Sequence, residues 1–139
     1  MANMEKYIHK VHYYETDKMG ITHHSNYIRW MEEARVDFLR QIGWDFDRLE
    51  ELGIVSPVIG VDCKYKLSTR FADDVAIIVT VEEFKGVKLR LRYVMENADG
   101  KLVCEGHSEH GFLHENGMPI RLAKEFPEFY KVLTELVAE

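Results

Sequence analysis

The apolar residues of this chain change their spacing along the sequence, from a period of two to a helical period and back. Residues 7–13 alternate and predict a first strand. From about Ser25 the apolar residues advance by three or four positions, which predicts a long amphipathic helix. Its apolar face contains Tyr27, Met31, Ala34, Phe38 and Ile42, widened by Ile28, Trp30 and Leu39. Ser25 or Asn26 can cap the start, and Gly43 suits the left-handed position after the end. So broad a face predicts a helix largely wrapped by other elements.

Four further segments return to the strand pattern after a short helical turn over residues 45–52. They cover residues 54–67, 75–84, 87–97 and 101 to about 114. Lys85-Gly86 and Asp99-Gly100 predict tight turns between them, and Pro127 fits the first turn of a C-terminal helix. One long helix followed by an antiparallel run predicts an α+β fold with the helix packed on a single sheet. No linker or repeat divides the chain, so we expect one domain over residues 1–139.

Composition and charge narrow the class of protein. A chain of 139 residues with 46% hydrophobic residues suits an ordinary globular core. The net charge of −6 argues against a nucleic-acid partner, which normally meets a basic face. No apolar run approaches the roughly 18 residues that span a bilayer, and residues 1–10 lack a signal-peptide core. Cys63 and Cys104 are typical of buried thiols in a reducing compartment. We therefore expect a cytoplasmic protein without a membrane span.

The loop before the long helix carries the most specific chemistry. Asp17 lies on a Gly-containing segment just ahead of the helix start. A helix start offers unpaired N–H groups and a partial positive charge of about half a unit. An acid beside it can attack a carbonyl whose oxygen those groups polarise, or direct water against it. The pattern predicts an acyl-transfer site, although Asp17 could instead only form a turn by bonding its own loop.

The residues of this loop also resemble a known family. Thr-Asp-Lys-Met-Gly-Ile at 16–21 and His-Ser-Asn-Tyr at 24–27 resemble the hotdog-fold thioesterase superfamily, in its 4-hydroxybenzoyl-CoA thioesterase-like and short-chain acyl-CoA thioesterase branch. Residues 65–73 and 105–110 resemble later family segments more weakly, and the similarity runs from about residue 7 to residue 122. Ser68, Gly111 and His114 depart from the family pattern, which bears mainly on substrate choice.

The resemblance implies a fold, an assembly and a reaction. The fold is an antiparallel five-stranded sheet wrapped around a long central helix. Relatives of this kind place the site between two protomers, so a homodimer or homotetramer is implied. The reaction is hydrolysis of an acyl-CoA substrate to a free carboxylate and coenzyme A, without a cofactor. Two alternatives stay open, namely a non-catalytic acyl-CoA-binding protein and an enzyme acting on acyl carrier protein thioesters. A hotdog dehydratase is disfavoured because its usual His before Pro-Gly is absent.

Site residues follow from the same resemblance. Asp17 is the expected nucleophile or general base, and the residues do not decide between these roles. His24 is the second catalytic candidate, through its backbone N–H, assisted by that of Ser25. The expected substrate-binding residues are Gly20, Ser25, Asn26, Tyr27, Arg70, Lys88 and Arg90.

Two clusters allow competing interpretations. The cations at 64, 66, 70, 88, 90 and 92 could hold the phosphates of coenzyme A, or they could form a solvated strand face paired with Glu82, Glu83 and Glu96. The histidines at 12, 107, 110 and 114 invite a metal hypothesis, but no Cys accompanies them at metal-like spacing, so no metal is expected. His110 is instead expected to form a wall of the active-site region.

Overall fold

The computed structural model describes residues 4–137. The strands are β1 Tyr7–Lys10, β2 Val58–Tyr65, β3 Asp74–Phe84, β4 Leu89–Glu96 and β5 Leu102–His110. The helices are α1 Ser25–Gln41, α2 Phe46–Glu51, α3 Leu122–Glu125 and α4 Pro127–Glu135, and a 3-10 turn covers Tyr13–Glu15. Among these described helices, none has both the length and the apolar character to cross a membrane.

The five strands form one antiparallel sheet in the order β1-β3-β4-β5-β2. Gly86 and Gly100 adopt positive φ angles of +87° and +77° in the two predicted turns, a conformation that glycine enters without a steric penalty. β1 is shorter than predicted because the chain turns into the 3-10 segment after Lys10. β2 starts only at Val58, since residues 54–57 contribute just an isolated bridge between Val55 and Leu113. The predicted α+β architecture is confirmed.

The long helix packs its apolar face on one side of the sheet. Trp30, Met31, Ala34 and Phe38 of α1 are buried, as are Leu89, Leu91, Tyr93 and Met95 of β4. These residues recur at the helical and strand periods respectively, so each element turns one face to a shared core. Gly43 follows the helix at φ +85°, as predicted.

Two details of the helix prediction are wrong. Ile28 is 43% exposed and lies outside the buried face. No side chain caps α1, whose N-cap residue is His24. The Asn26 side chain instead lies buried and donates to the backbone oxygens of Glu15 and His23, at 3.0 and 3.1 Å. A buried amide must find acceptors, and the two nearest carbonyls lie in the preceding loop.

β2 forms one edge of the sheet. It pairs with β5 on one side, and within residues 4–137 no strand pairs with its other side. Its apolar side chains Val58, Ile59, Val61 and Tyr65 are about half exposed. An edge strand with exposed apolar side chains can pair with another chain.

Candidate active site

The loop from Thr16 to Thr22 is a small hairpin that presents Asp17. Thr16 and Thr22 form a bridge at its base, and the Asp17 N–H donates to the Ile21 oxygen at 2.9 Å. Gly20 has φ +79°, which the reversal of the chain requires. The Asp17 Oδ1 atom accepts the Met19 N–H at 2.8 Å. Within the described residues the Oδ2 atom has no hydrogen-bond partner, so one oxygen forms the turn and the other is available for chemistry.

Asp17 lines a cavity of about 320 Å³ together with two other predicted site residues, His24 and Tyr27. The remaining lining residues are Met19, Ile21, Thr22, Tyr65, Lys66, Leu67 and Ser68. The first three of these belong to the loop, and the last four lie at the end of β2 and just beyond it. The cavity therefore forms where the loop, the start of α1 and the end of β2 meet.

His24, the N-cap residue of α1 and a lining residue of the cavity, has a backbone N–H without a hydrogen-bond partner among the described residues. The N–H groups of Asn26 and Tyr27 donate to the oxygens of His23 and His24, at 3.1 and 3.2 Å. The Ser25 N–H faces the Nδ1 atom of His23 at 3.3 Å. Across residues 4–137 no acceptor lies within hydrogen-bond reach of the His24 N–H. A carboxylate and an unpaired backbone N–H, on residues that line the same cavity, are the types of group that carbonyl activation requires.

Buried hydroxyl groups and aromatic rings support the floor of the cavity. The Tyr27 hydroxyl shares a hydrogen bond with the Thr69 hydroxyl at 3.0 Å, and Thr69 shares another with Thr22 at 2.6 Å. The Tyr65 ring lies 5.2 Å from the Tyr27 ring, and its hydroxyl donates to the His24 oxygen at 3.3 Å. Burial raises the pKa of Tyr27, so this phenol remains protonated at neutral pH.

Four other predicted residues lie beside the cavity without lining it. Arg70 forms a bridge with Ile21, and its Nη1 atom would lie 3.5 Å from a Cβ atom placed on Gly20. Ser25 is exposed, with its hydroxyl 2.9 Å from His23 Nδ1. The Asn26 side chain is committed to the carbonyls of the loop, as described above. Gly20 and Asn26 thus shape the loop, while Arg70 remains free to reach a ligand.

The structure does not bring Lys88 and Arg90 to the cavity of the same chain. Arg90 pairs in register with Glu109, which pairs with Gly60 on β2. Gly60 therefore marks the level of Arg90 on the sheet, and it is five residues, or about 17 Å of strand, from Tyr65, the β2 residue that lines the cavity. Arg90 lies 3.5–3.8 Å from the carboxylates of Asp62, Glu82 and Glu109, and Lys88 lies 3.1 Å from Glu109. Their binding of substrate stays a prediction.

The expectation that His110 forms a wall of the active-site region is wrong for the cavity of its own chain. His110 pairs with Val58, at the opposite end of β2 from Tyr65. It is buried, with Nε2 2.7 Å from the Ser108 hydroxyl and Nδ1 lacking a partner within residues 4–137. Burial, followed by the charge of Arg35, lowers the pKa of His110 to about 3. It is therefore a neutral core residue at physiological pH.

Two other histidines of the metal hypothesis, His107 and His114, are paired with carboxylates. His107 lies 3.0 Å from carboxylates of both Asp62 and Glu82, and His114 lies 2.9 Å from Glu125. A different trio, His9, His12 and Glu15, places three potential ligand atoms within 4.8 Å of one another. The sequence pattern does not identify that trio, because its members meet where β1 passes into the 3-10 turn.

Sequence reasoning missed the contribution of β2 to the site. Tyr65, Lys66, Leu67 and Ser68 reach the cavity only because β2 pairs with β5 and ends beside the start of α1. Their sequence signals are the weak family resemblance that begins at Tyr65 and the place of Lys66 in the predicted cation cluster. Local periodicity carries no information on such a long-range contact.

Comparison with known proteins places this geometry in a family. A family model described as the thioesterase-like superfamily matches residues 11–133, which include the Asp17 loop, α1 and β2 to β5. The chain belongs to the thioesterase-like superfamily. Its resemblance to hotdog thioesterases is therefore confirmed, and the names of its relatives include acyl-CoA thioesterase and DHNA-CoA thioesterase.

Relatives of this superfamily member are similar over nearly the whole chain. YneP of Bacillus subtilis (strain 168), provisionally named an acyl-CoA thioesterase, is 31% identical over 122 residues, covering 87% of this chain and 88% of YneP. A crystal structure of a DHNA-CoA thioesterase from Staphylococcus aureus has a TM-score of 0.89 at 31% identity, covering 94% and 89% of the two chains. The gentisyl-coenzyme A thioesterase BH1999 has a TM-score of 0.79 at 25% identity, covering 88% and 99%. These likenesses confirm the hotdog fold.

Proposed function

We propose that this protein hydrolyses an acyl-CoA thioester to a free carboxylate and coenzyme A, with Asp17 and the His24 N–H as the catalytic groups. The observation that carries the proposal is that a carboxylate oxygen and a backbone N–H, both without a hydrogen-bond partner in residues 4–137, belong to residues lining one cavity. Membership of the thioesterase-like superfamily supports the same reaction.

The chemistry needs few groups. The thioester oxygen accepts the His24 N–H, and the positive end of α1 stabilises the charge that develops there. Either Asp17 attacks the carbonyl carbon and forms an anhydride that water then cleaves, or Asp17 takes a proton from the attacking water. In the first route the Asp17–acyl C–O bond forms as the C–S bond breaks, and water then forms a second C–O bond as an anhydride C–O bond breaks and frees Asp17. In the second route the oxygen of water forms the C–O bond directly as the C–S bond breaks. The net change in both is one C–O bond formed and one C–S bond broken, and the coenzyme A thiolate leaves and takes up a proton. One water molecule is consumed.

Charge at the cavity favours coenzyme A as the carrier. Lys66 lines the cavity and Arg70 borders it, and neither forms an ion pair within residues 4–137. Lys88 and Arg90, in contrast, lie among carboxylates. In a chain of net charge −6, unpaired cations at the cavity mouth suit a phosphorylated ligand. Lys88 and Arg90 would contribute only if a second protomer brought them to the site.

We favour an aromatic acyl group as the substrate. Tyr27 and Tyr65 lie among the cavity residues, and flat rings stack favourably on such side chains. Two of the similar solved structures are named for aromatic acyl-CoA substrates, DHNA-CoA and gentisyl-coenzyme A. Aromatic acyl-CoAs therefore belong in any first substrate panel.

The enzyme would act as a homodimer or homotetramer in the cytoplasm. The unpaired edge and half-exposed apolar side chains of β2 suit pairing with a second copy. Cys63 and Cys104 are both free thiols, which favours a reducing compartment.

The test is release of free thiol from aliphatic and aromatic acyl-CoAs by wild type, Asp17→Asn and Asp47→Asn. Asp47 is an exposed α2 residue that does not line the cavity, so Asp47→Asn controls for loss of one charge. We expect Asp17→Asn to lower kcat by about 100-fold or more, with Asp47→Asn unchanged. Equal rates for Asp17→Asn and wild type would refute the catalytic role of Asp17. Tight acyl-CoA binding without thiol release would favour the binding-only alternative, and release only from carrier-protein thioesters would favour the carrier alternative.

A further inference from the structure

We propose that Glu15 is a positioning residue that holds the Asp17 carboxylate at its working distance from the His24 N–H. This inference rests on the proposed function. Glu15 does not line the cavity, and it would act entirely through the two ends of the loop that carries Asp17.

The side chain of Glu15 ties three elements together. It is 5% exposed, and its Oε1 atom accepts the His12 N–H at 2.8 Å and His9 Nε2 at 2.9 Å. Its Oε2 atom accepts the indole N–H of Trp30 at 2.7 Å. These donors come from β1, the following turn and α1. One carboxylate thereby fixes the segment before the catalytic loop to both the sheet and the long helix.

The charge of Glu15 is maintained by these contacts. Burial alone would raise the pKa of the carboxyl, but hydrogen bonds from the His12 N–H, His9 and Trp30 outweigh burial and hold the pKa below its usual value. An ionised carboxylate only accepts hydrogen bonds, so His9 must carry its proton on Nε2. His9 Nδ1 then faces Glu33 at 3.6 Å.

The backbone of Glu15 closes the loop on its other side. Its carbonyl oxygen accepts the His23 N–H at 2.8 Å and the Asn26 side-chain amide at 3.0 Å. Asp17 is two residues after Glu15, and His24 directly follows His23. The same residue therefore anchors the chain on both sides of the hairpin, next to the carboxylate at one end and next to the oxyanion donor at the other.

The backbone of the catalytic hairpin is hydrogen-bonded at Asp17, but the Asp17 side chain itself has little support. Lys18, Met19 and Gly20 are exposed, and the Asp17 side chain bonds only to the Met19 N–H among the described residues. A change of about 1 Å in the position of a reacting group can reduce a rate by about 100-fold. Loss of the Glu15 anchor would therefore affect the chemical step more than binding.

Glutamine cannot replace the carboxylate at this position. The His12 and Trp30 N–H groups point at different oxygens of Glu15. A glutamine of the same shape has one oxygen and one NH₂ group, so one of the two N–H groups would face a donor. Glu15→Gln thus disturbs the anchor while leaving the side-chain volume nearly unchanged.

The experiment measures kcat and KM for Glu15→Gln in the wild-type and the Asp17→Asn backgrounds. We expect kcat to fall by about 10- to 100-fold with KM changed less than about threefold. In the Asp17→Asn background most of this loss should disappear, because no attacking carboxylate remains to be misplaced. Tyr93→Phe, which removes a buried hydrogen bond to Ser108 away from the loop, is the stability control. It should leave kcat near the wild-type value.

Each other outcome is decisive. An equal loss in both backgrounds would mean that Glu15 only stabilises the fold, and an unchanged kcat would refute the inference. A wild-type rate for Asp17→Asn itself would refute the proposed function instead. If Glu15→Gln does not fold, Trp30→Phe removes a single donor to the carboxylate, and the same dependence on Asp17 is expected at a smaller magnitude.

Discussion

Met31 on α1 packs directly over Gly106 in the middle of β5. A Cβ atom built on Gly106 would lie 3.3 Å from both Sδ and Cε of Met31, and 2.5 Å from the backbone oxygen of Asp62 on β2. The helix can approach the sheet this closely because residue 106 has no side chain.

Gly106→Ala should therefore destabilise the protein. The Asp62 oxygen belongs to a paired strand and cannot move without shifting the β2–β5 ladder, so we expect a loss of about 1–3 kcal/mol in the free energy of unfolding. Urea denaturation measures it. Gly60→Ala is the matched control, because a Cβ there would meet only the Glu109 side chain at 3.5 Å. Equal stabilities of the two variants would contradict this view of the packing.

The contribution of Lys66 and Arg70 to substrate binding can be distinguished from that of Lys88 and Arg90 with substrates that carry or lack the phosphates of coenzyme A. Lys66→Gln and Arg70→Gln should each raise KM for acyl-CoA by about tenfold, because a charge-assisted hydrogen bond to phosphate contributes about 1.5 kcal/mol or more. Neither should alter KM for the matching acyl-pantetheine, which lacks phosphate. Lys88→Gln and Arg90→Gln should have weaker effects because these cations already face carboxylates. A larger effect at Arg90 would indicate that a second protomer brings β4 to the nucleotide.

The buried His110 should make stability depend on pH. Its pKa in the folded chain is lowered to about 3, whereas the unfolded chain titrates near 6.5. The unfolded state therefore binds one more proton between these values. Stability is fully present above about pH 6.5 and falls as the pH is lowered toward 3, by up to about 1.4 kcal/mol per pH unit from this group.

Urea denaturation between pH 7 and pH 4 checks this dependence. The free energy of unfolding of His110→Gln should depend less steeply on pH than that of wild type. The difference in slope should correspond to nearly one proton, whatever the stability of the variant at pH 7. His114→Gln, the same change at a less buried histidine that pairs with Glu125, is the comparison. Parallel slopes for wild type and His110→Gln would show that His110 is protonated in the folded state.

The β2 edge should be the dimer interface. Val61 is 44% exposed on that strand. Lysine there would place a charge in a paired apolar surface, so Val61→Lys should shift the protein from dimer to monomer at micromolar concentration and lower its activity. Sedimentation velocity measures the mass of the oligomer in solution. The control is Val87→Lys, at an exposed position outside the strands, which should leave the oligomer mass unchanged. A wild-type protein that is monomeric and fully active would rule out a site that needs two chains.

Local sequence patterns predict most of the helices and strands and single out the Asp17 loop as a candidate site. The helix over Ser25–Gln41, the turns at Gly86 and Gly100, and the Asp17 segment follow from residues within a few positions of one another, since helical period, strand alternation and turn conformation are local properties. The resemblance to hotdog thioesterases rests on the same short segment.

Which residues line the cavity at Asp17 depends on the tertiary structure and is not encoded in local sequence patterns. Tyr65 and Lys66 line the same cavity as Asp17, and Arg90 does not, because strand pairing joins residues some forty positions apart in a register that local pattern does not encode. Glu15 is the sharpest case. A charged residue is almost never buried unless it has hydrogen-bond or ion-pair partners. The three donors to the Glu15 carboxylate, from His9, His12 and Trp30, come together only when β1, the 3-10 turn and α1 have packed.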